Sequence, residues 1–176
     1  MDDGMGMTGW GEAILTGPDG VVKQRVRFRN LITDNGDQYY AKMAAALVGT
    51  PNAAQPSKVT GMKLGTSSTA ASKSGAASYI SPGTYISGSN QALDSSYPQT
   101  SAVGTDVGWY ITYRAVWAAG DSTNSTIREV VVCTDSASDD YGSAAETISR
   151  AVFSPIIAKG ADDTLTVTWA HKFLGA

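Results

Sequence analysis

The chain has 176 residues, of which 42% are hydrophobic and only 16% charged, and its formal net charge at pH 7 is −3. This length predicts one domain with a real hydrophobic core, and the negative charge disfavours a general nucleic-acid binder, which is usually basic. The single cysteine excludes an internal disulfide bond, no apolar run is long enough to span a membrane, and the first residues lack the basic start and apolar core of a signal peptide.

The first nine residues are rich in glycine and methionine and predict an N-terminal arm in front of a domain formed by residues 10–176. Because methionine is an adaptable apolar contact, Met5 and Met7 are candidate partner-binding residues, and Trp10 is a third. A strand at residues 10–16, the turn sequence Gly-Pro-Asp-Gly at residues 17–20 and a return strand at residues 21–29 predict a β-hairpin.

The return strand places four cations on one face, and we call this set the basic stripe: Lys23, Arg25, Arg27 and Arg29. Four like charges in a row repel each other unless acidic groups lie opposite them. The pattern fits a solvated outer face that also blocks pairing between sheet edges. It also fits a docking surface for an acidic partner or, less well, a contact with nucleic acid.

One amphipathic helix is predicted at about residues 36–48. Asn35 and Gln38 have the spacing of a capping box at its start. Tyr39, Met43 and Leu47 then recur on one side of the helix, which is therefore apolar. A helix of this kind is expected to lie across an open end or face of a sheet.

The middle of the chain is rich in small polar residues. Residues 59–64 alternate weakly and predict a strand, whereas residues 65–77 predict a loop that is too polar and too small-sided to bury much. Tyr79 and Tyr85 recur on either side of a Pro-Gly sequence and predict a short hairpin or a projecting loop, in which both tyrosines are candidate contacts. The whole segment of about residues 79–108 is expected to be irregular.

The second half of the chain predicts long strands. Residues 109–117 alternate with the larger apolar side chains on one face, and residues 127–133 are apolar nearly throughout, as in a strand covered on both faces. Residues 151–157 and 164–169 predict a C-terminal β-hairpin that closes the core. Together the patterns predict a mainly-β protein, a β-sandwich or jelly-roll-like domain of about eight short strands with one short α-helix.

The sequence lacks the residue patterns that are typical of catalytic sites. His171 is the one histidine, and its position in the last strand predicts a hydrogen-bonded structural role. The acidic pairs at residues 139–140 and 162–163 fall in predicted turns, where aspartate usually bonds to the backbone. Neither metal-ligand spacing nor a nucleophile elbow nor a phosphate-binding loop is present. We therefore expect no enzymatic activity, no cofactor, and no catalytic or metal-binding residue.

Several segments, taken in order, resemble a set of small tailed-bacteriophage virion proteins. Asn30-Leu31-Ile32-Thr33, followed by an amphipathic helix, is similar to their "NLI" strand and short helix, and residues 62–71 are similar to their "GTGTTAP"-like loop. Residues 127–130 resemble an "IAEVGL"-like strand. Residues 149–155 and 161–169 resemble a closing "ARTVFSP…DTLTVTW" segment, so the similarity covers most of residues 28–170.

The resemblance implies a non-enzymatic virion protein. The first expectation is a capsid decoration (cement) protein, made in the host cytoplasm, that binds the capsid exterior and stabilises the head. Its partners would be the major capsid protein and copies of itself, as a trimer first and a dimer second, with neither nucleic acid nor membrane as a partner. The alternative is a tail or neck fibre module that recognises a host surface glycan, and a hydrolase of cell-surface polymer is a distant third.

Overall fold

The computed structural model describes residues 7–47, 56–102 and 108–174. These ranges contain nine strands and one α-helix, together with a short 3₁₀ turn at Gly75–Ala77. In chain order they are β1 (Met7–Thr16), β2 (Val22–Ile32), α1 (Asp34–Leu47), β3 (Gly61–Gly65), β4 (Gln91–Ala92), β5 (Gln99–Ala102), β6 (Gly108–Trp117), β7 (Asn124–Cys133), β8 (Thr147–Lys159) and β9 (Thr164–Leu174). The predicted mainly-β class with one helix is therefore confirmed. Within the same ranges, no helix combines the length and the hydropathy needed to cross a membrane.

The nine strands form one antiparallel sheet in the order β4-β3-β7-β8-β2-β1-β9-β6-β5. An isolated bridge between Leu93, which follows β4, and Ala115 on β6 brings the two ends of the sheet together. The sheet therefore curls into a half-barrel, and the predicted β-sandwich or jelly roll is corrected to this arrangement. Alternation in the sequence shows which residues share a face of a strand. It does not show whether the strands form two facing sheets or one curled sheet, because the pattern is the same in both cases.

Strand β2 joins the two halves of the curled sheet. It pairs with β1 along most of its length and with β8 through Leu31 and Ile32 at its end. The β1–β2 register shifts between Leu15 and Thr16, and the β7–β8 ladder has three further irregularities. Such shifts bend strands and increase their twist, which allows strands of ten or more residues to wrap round one core.

The last strand, β9, is an interior strand of the sheet and lies between β1 and β6. Its alternating residues Leu165, Val167 and Trp169 are fully buried, as the sequence predicts. Strand β8 comes directly before β9 in the chain but pairs with β7 and β2, so the predicted C-terminal hairpin is wrong. The turn at residues 160–163 instead connects two strands that are not neighbours in the sheet.

Aromatic side chains fill the core on the inner face of the sheet. Phe28 makes edge-to-face contacts with Phe153 and Trp169, at centroid distances of 5.3 and 5.1 Å. Trp117 is also fully buried, and its indole N–H donates to the carbonyl of Ser89 at 2.8 Å. Trp109, predicted on the same face, is 60% exposed because it lies at the start of β6, beyond the edge of the core.

Helix α1 begins two residues earlier than predicted, because a different residue caps it. The hydroxyl of Thr33 accepts a hydrogen bond from the backbone N–H of Gly36 at 3.0 Å, which makes Thr33 the N-cap. The predicted capping box at Asn35 and Gln38 is therefore wrong. The Asn35 amide instead donates to the carbonyl of Thr147, at 3.4 Å, so it ties the helix to β8.

The apolar side of α1 faces the core, as predicted. Tyr39 is buried in the core cluster, and Tyr40 and Met43 pack against it. The Tyr40 ring also contacts Phe173 on β9, edge to face, at 5.0 Å. The side chain of Leu47, the third predicted position, lies outside the described part of the structure.

The segment at residues 79–90 packs along the sheet and does not project. Tyr85 forms a bridge with Gly65, and the backbone N–H of Ile86 donates to the carbonyl of Leu64 at 3.1 Å. Ile80 and Ile86 are buried as a result. The rest of the predicted irregular segment includes β4 and β5, whereas residues 103–107 fall outside the described ranges.

Of the predicted N-terminal arm, residues 1–6 fall outside the described ranges, and residues 7–9 are the start of β1.

Candidate functional site

The basic stripe projects from the outer face of β2. Val26 and Phe28, on the opposite face, are buried in the core. The exposed fractions of the stripe side chains are 50% for Lys23, 48% for Arg25 and 82% for Arg27. The alternation in the sequence therefore places these side chains correctly on the solvent side of the sheet.

Acidic groups lie opposite part of the stripe. Glu12 on β1 accepts hydrogen bonds from Nη1 of Arg25 at 2.6 Å and from Nε of Arg27 at 3.1 Å. Lys23 donates to Asp163, also at 2.6 Å. The hydrogen bond from Arg25 holds the pKa of Glu12 below its ordinary value, and the one from Lys23 does the same for the pKa of Asp163. The row of cations is thus partly neutralised within its own sheet.

The end of the stripe keeps a positive charge beside an exposed indole. Arg29 lies directly across the β1–β2 ladder from Trp10, which is 49% exposed, and among the described residues no acidic side chain pairs with Arg29. Arg25, Arg27 and Arg29 carry three positive charges, and Glu12 balances one of them, so this part of the outer face has a net charge of +2. We call Trp10, Arg27 and Arg29 the stripe patch.

The two predicted methionine contacts do not join this patch. Met5 lies outside the described residues. Met7 pairs with Phe173 on β9, and its position three residues before Trp10 puts its side chain on the opposite face of β1. The structure therefore separates Met7 from the stripe patch.

The two predicted tyrosine contacts have different surroundings. The hydroxyl of Tyr85 donates to Asp139 at 2.7 Å, and its ring packs on the small apolar cluster that contains Ile80 and Val131. Burial, followed by the bond to Asp139, raises the pKa of Tyr85. Tyr79 instead lines a cavity on the outer side of β7. The structure thus gives Tyr85 an anchoring contact and leaves Tyr79 beside open space.

The acidic pair at residues 139–140 makes loop contacts, as the sequence predicts. Asp139 accepts from the backbone N–H of Gly88 at 2.6 Å, and this bond, with the one from Tyr85, lowers its pKa. Asp140 accepts from the ammonium group of Lys63 at 3.0 Å, and this bond lowers the pKa of Asp140. These contacts fasten the loop at residues 134–146 to β3 and to the loop that precedes β4.

His171 is a structural histidine, as predicted. It is fully buried, with Tyr40 hydrogen-bonded to Nδ1 and with Ser149 and Asn30 at 3.0 and 3.1 Å from Nε2. Burial, with no charged partner to oppose it, lowers the pKa of His171 to about 3. The imidazole is therefore neutral at pH 7 and closed off from solvent.

A buried ion pair that the sequence did not reveal joins β7 and β8 on their outer side. Nε and Nη2 of Arg150 lie 2.8 and 2.7 Å from Oε2 of Glu129, and both side chains are almost completely buried. Oε1 of Glu129 accepts from the backbone N–H of Ser67 at 2.9 Å, and Nη1 of Arg150 donates to the carbonyl of Ala77 at 3.0 Å. The pair is thus bonded to the loop that covers it.

The loop at residues 66–90 covers the pair, and it can start close to the carboxylate because Gly65 has no side chain. At Gly65, where the loop leaves β3, an added Cβ would lie 2.4 Å from Oε1 of Glu129, so only glycine leaves room for the carboxylate. The backbone of the loop then supplies an N–H and a carbonyl to the buried charges. Residues 66–77 are themselves at least partly exposed, as predicted, yet their backbone closes over the two buried charges. The one local signal was a glutamate inside the apolar run of residues 127–133.

A cavity of about 190 Å³ remains between the loop and the ion pair. The pair forms one side of it, and the rest is lined by Ser67, Thr69, Ala76, Ala77, Tyr79 and Ser81. Thr69 is exposed, so the cavity reaches the protein surface. It combines a buried pair of opposite charges with hydroxyl groups and one aromatic ring.

In residues 7–47, 56–102 and 108–174, no group of three or more His, Cys, Asp or Glu side chains is placed to hold a metal ion.

Comparison with known proteins adds no family. Neither the protein-family models, nor the curated proteins, nor the solved structures contain a match to the chain. The resemblance to tailed-bacteriophage virion proteins therefore rests on the sequence motifs.

Proposed function

We propose that this chain is a non-enzymatic virion protein of the capsid exterior, a decoration (cement) protein that binds the major capsid protein and stabilises the assembled head. The observation that carries the proposal is the stripe patch, in which Arg27 and Arg29 stand beside the exposed ring of Trp10. The motif resemblance along residues 28–170 supplies the viral context.

The stripe patch has the composition of a binding surface. Arginine and tryptophan are enriched among the residues that contribute most to protein–protein affinity, and here they stand on long strands whose other face is anchored in the core. The chain as a whole carries a charge of −3, so the positive charge is local to this face. A local field of this kind orients the protein towards an acidic partner surface.

The groups that could perform chemistry are already used in structural contacts. His171 is buried and neutral, and Asp139 and Asp140 bond to the loops around them. Asp163 bonds to Lys23 and caps its own turn at the N–H of Gly160. These assignments support attachment rather than turnover.

Attachment stabilises a shell by mass action. A protein that binds only the assembled state favours that state by about 2.7 kcal/mol per site when its free concentration is 100 times Kd. Icosahedral symmetry repeats the contact many times over the particle. We further propose that copies of the chain associate on the shell, as a trimer first and a dimer second, because closed symmetric assemblies match the symmetry of the site.

The stripe patch can be tested by charge removal. We expect the double variant R27S/R29S to bind emptied, expanded heads about tenfold more weakly than the wild type at low salt, because two exposed charge contacts are worth about 0.5–2 kcal/mol together. The difference should shrink as salt is added, because screening weakens such contacts. The measurement is a sedimentation assay of purified protein with purified heads over a series of salt concentrations.

The control variant K42S/K58S removes the same charge from two exposed lysines outside the stripe, and it should bind like the wild type. Equal binding by R27S/R29S would show that the stripe is only a solvated face. Binding to host cells or lipopolysaccharide instead of heads, with only a few copies per particle, would replace the decoration proposal with the tail or neck fibre alternative.

A further inference from the structure

Lys63 is a buried lysine in the middle of β3. Its side chain is completely buried, and it shares a face of the sheet with Val131 and Cys133, which belong to a small apolar cluster. Its ammonium group lies 2.7 Å from Oδ2 of Asp135 and 3.0 Å from Oδ1 of Asp140. One amine and two carboxyl groups of the same chain therefore meet at a place that is closed to solvent on the lysine side.

One oxygen of Asp135 takes no part in this ion pair. The side chain of Asp135 is 14% exposed, and among the described residues its Oδ1 atom is buried without a hydrogen-bond partner. A carboxylate shares its negative charge between both oxygens, so a buried and unbonded oxygen is costly. The cost is smaller for an amide, because its carbonyl oxygen carries no net charge. The surroundings of Asp135 therefore favour a neutral product over the ion pair.

The hydrogen bond also brings two reactive atoms together. Cγ of Asp135 is bonded to Oδ2, so the 2.7 Å contact places Nζ of Lys63 roughly 3–4 Å from Cγ, close to the distance from which such atoms react. The terminal torsion of aspartate is broad, so the carboxyl group can turn its face towards the amine. Groups held in this way react as if their concentration were about 10⁵–10⁸ M, which opposes hydrolysis of the product.

We propose that Lys63 and Asp135 condense to an amide between their side chains, an isopeptide bond, and that Asp140 transfers a proton during the reaction. A proton first passes from Nζ of Lys63 to Oδ2 of Asp135, which gives an amine and a carboxylic acid. Nζ then bonds to Cγ, and Asp140 accepts a second proton from the nitrogen. Asp140 returns this proton to the Oδ2 hydroxyl group, the Cγ–Oδ2 bond breaks, and water leaves. One C–N bond replaces one C–O bond, so no oxidant or reductant is needed.

The position of Asp140 suits this role. Its side chain is 56% exposed, so it connects the buried pair with solvent and lies on the side from which water can leave. The hydrogen bond from Lys63 lowers the pKa of Asp140, which is therefore ionised at pH 7 and can accept a proton. Burial disfavours the ammonium group, but the two carboxylates outweigh it and raise the pKa of Lys63. The reaction thus begins from the ion pair, and the amine forms by proton transfer within it.

The product ties β3 covalently to the loop at residues 134–146. The reacting residues lie on the face and the strands that the stripe patch does not use. The proposal therefore does not depend on binding to heads, and either can fail without the other.

The first test is the mass of the unmodified full-length protein after denaturation. We expect a mass that is lower than that of the sequence by one water molecule, and a protease digest in which one branched peptide joins Lys63 to Asp135. The digest locates the bond, because cyclisation of an aspartate elsewhere loses the same mass. An intact mass equal to that of the sequence, or separate unmodified peptides that contain Lys63 and Asp135, would overturn the proposal and leave an ordinary buried ion pair.

The second test uses two variants. Lys63→Arg keeps the positive charge but has no reactive amine, so its mass should be that of its own sequence. Asp140→Asn keeps the size of the side chain but cannot accept the proton, and we expect condensation at least about tenfold slower than in the wild type. Mass spectra of samples taken at intervals after cell-free synthesis measure the rate. A loss of water that persists in Lys63→Arg would contradict the bond, and an unchanged rate in Asp140→Asn would contradict the role of Asp140.

Discussion

Partners decide how burial acts on each ionisable side chain. Burial alone lowers the pKa of Lys63, but hydrogen bonds to Asp135 and Asp140 outweigh it, and the pKa of Lys63 is raised. His171 is equally buried but has only neutral partners, so burial lowers its pKa to about 3. The lysine is therefore a charged anchor of a loop, and the histidine is a neutral part of the core.

This difference predicts that the protein loses stability in mild acid. Below pH 6.5 the unfolded chain protonates His171, whereas the folded chain does not until about pH 3. Stability is therefore full above pH 6.5 and falls as the pH decreases, by about 2–3 kcal/mol at pH 4.5. Carboxylates with lowered pKa values, such as Glu12, lose their contribution only below their ordinary value of 4.5. The free energy of unfolding, measured with urea between pH 7 and 4.5, therefore reports the contribution of His171 alone.

The matched variant is His171→Gln, which keeps polar atoms but does not titrate. We expect this variant to be less stable than the wild type at pH 7 and almost independent of pH down to 4.5. Parallel pH profiles for the two proteins would mean that another group, and not His171, causes the acid sensitivity.

Single elements could be predicted from the sequence where their signal is local. Alternation placed β1, β2, β6 and β9, and helical spacing placed α1, because these patterns repeat within a few residues. Contacts between distant segments left no such pattern. The bond from Ser67 to Glu129 joins residues that are 62 apart, and strand β9 pairs with β1, at the other end of the chain. The cavity and the pairing of strands that are distant in the chain were therefore beyond local reasoning, whereas the β1–β2 hairpin and the exposed face of the stripe were not.

The same buried pair gives a prediction for the loop that covers β7 and β8. Glu129→Gln keeps an acceptor for Ser67 but leaves the guanidinium of Arg150 buried without a counter-charge. We expect a loss of about 3–5 kcal/mol in the free energy of unfolding. The control is Glu12→Gln, the same substitution at a partly exposed pair on the stripe, which should cost no more than about 1 kcal/mol.

Urea titration of both glutamine variants at pH 7 measures the two losses. Hydrogen exchange adds a local readout, because the backbone N–H of Ser67 should lose protection in Glu129→Gln and keep it in Glu12→Gln. Losses of the same size in the two variants would show that burial of the pair contributes nothing beyond an exposed ion pair.

The molecule as a whole is organised around β9 and not around a terminal hairpin. Met7 and Phe173 pair across the β1–β9 ladder, so the two ends of the described chain lie side by side on neighbouring interior strands of the sheet. Joining Ala176 to Met1 would leave residues 175–176 and 1–6 as a linker, which is ample for strands about 5 Å apart. The turn at residues 17–20, which is exposed from Pro18 to Gly20, offers a place to open the chain.

We therefore predict that a circular permutant opened between Asp19 and Gly20 keeps the fold. Its free energy of unfolding should lie within about 2–3 kcal/mol of the wild type, because one short loop replaces another and only a few turn hydrogen bonds are lost. A permutant opened between Thr166 and Val167 should not fold, because the break falls inside a strand that is paired on both sides and whose inner face is fully buried. Far-ultraviolet circular dichroism and urea titration compare the two. Folding of both permutants would mean that β9 is not the strand on which the half-barrel depends.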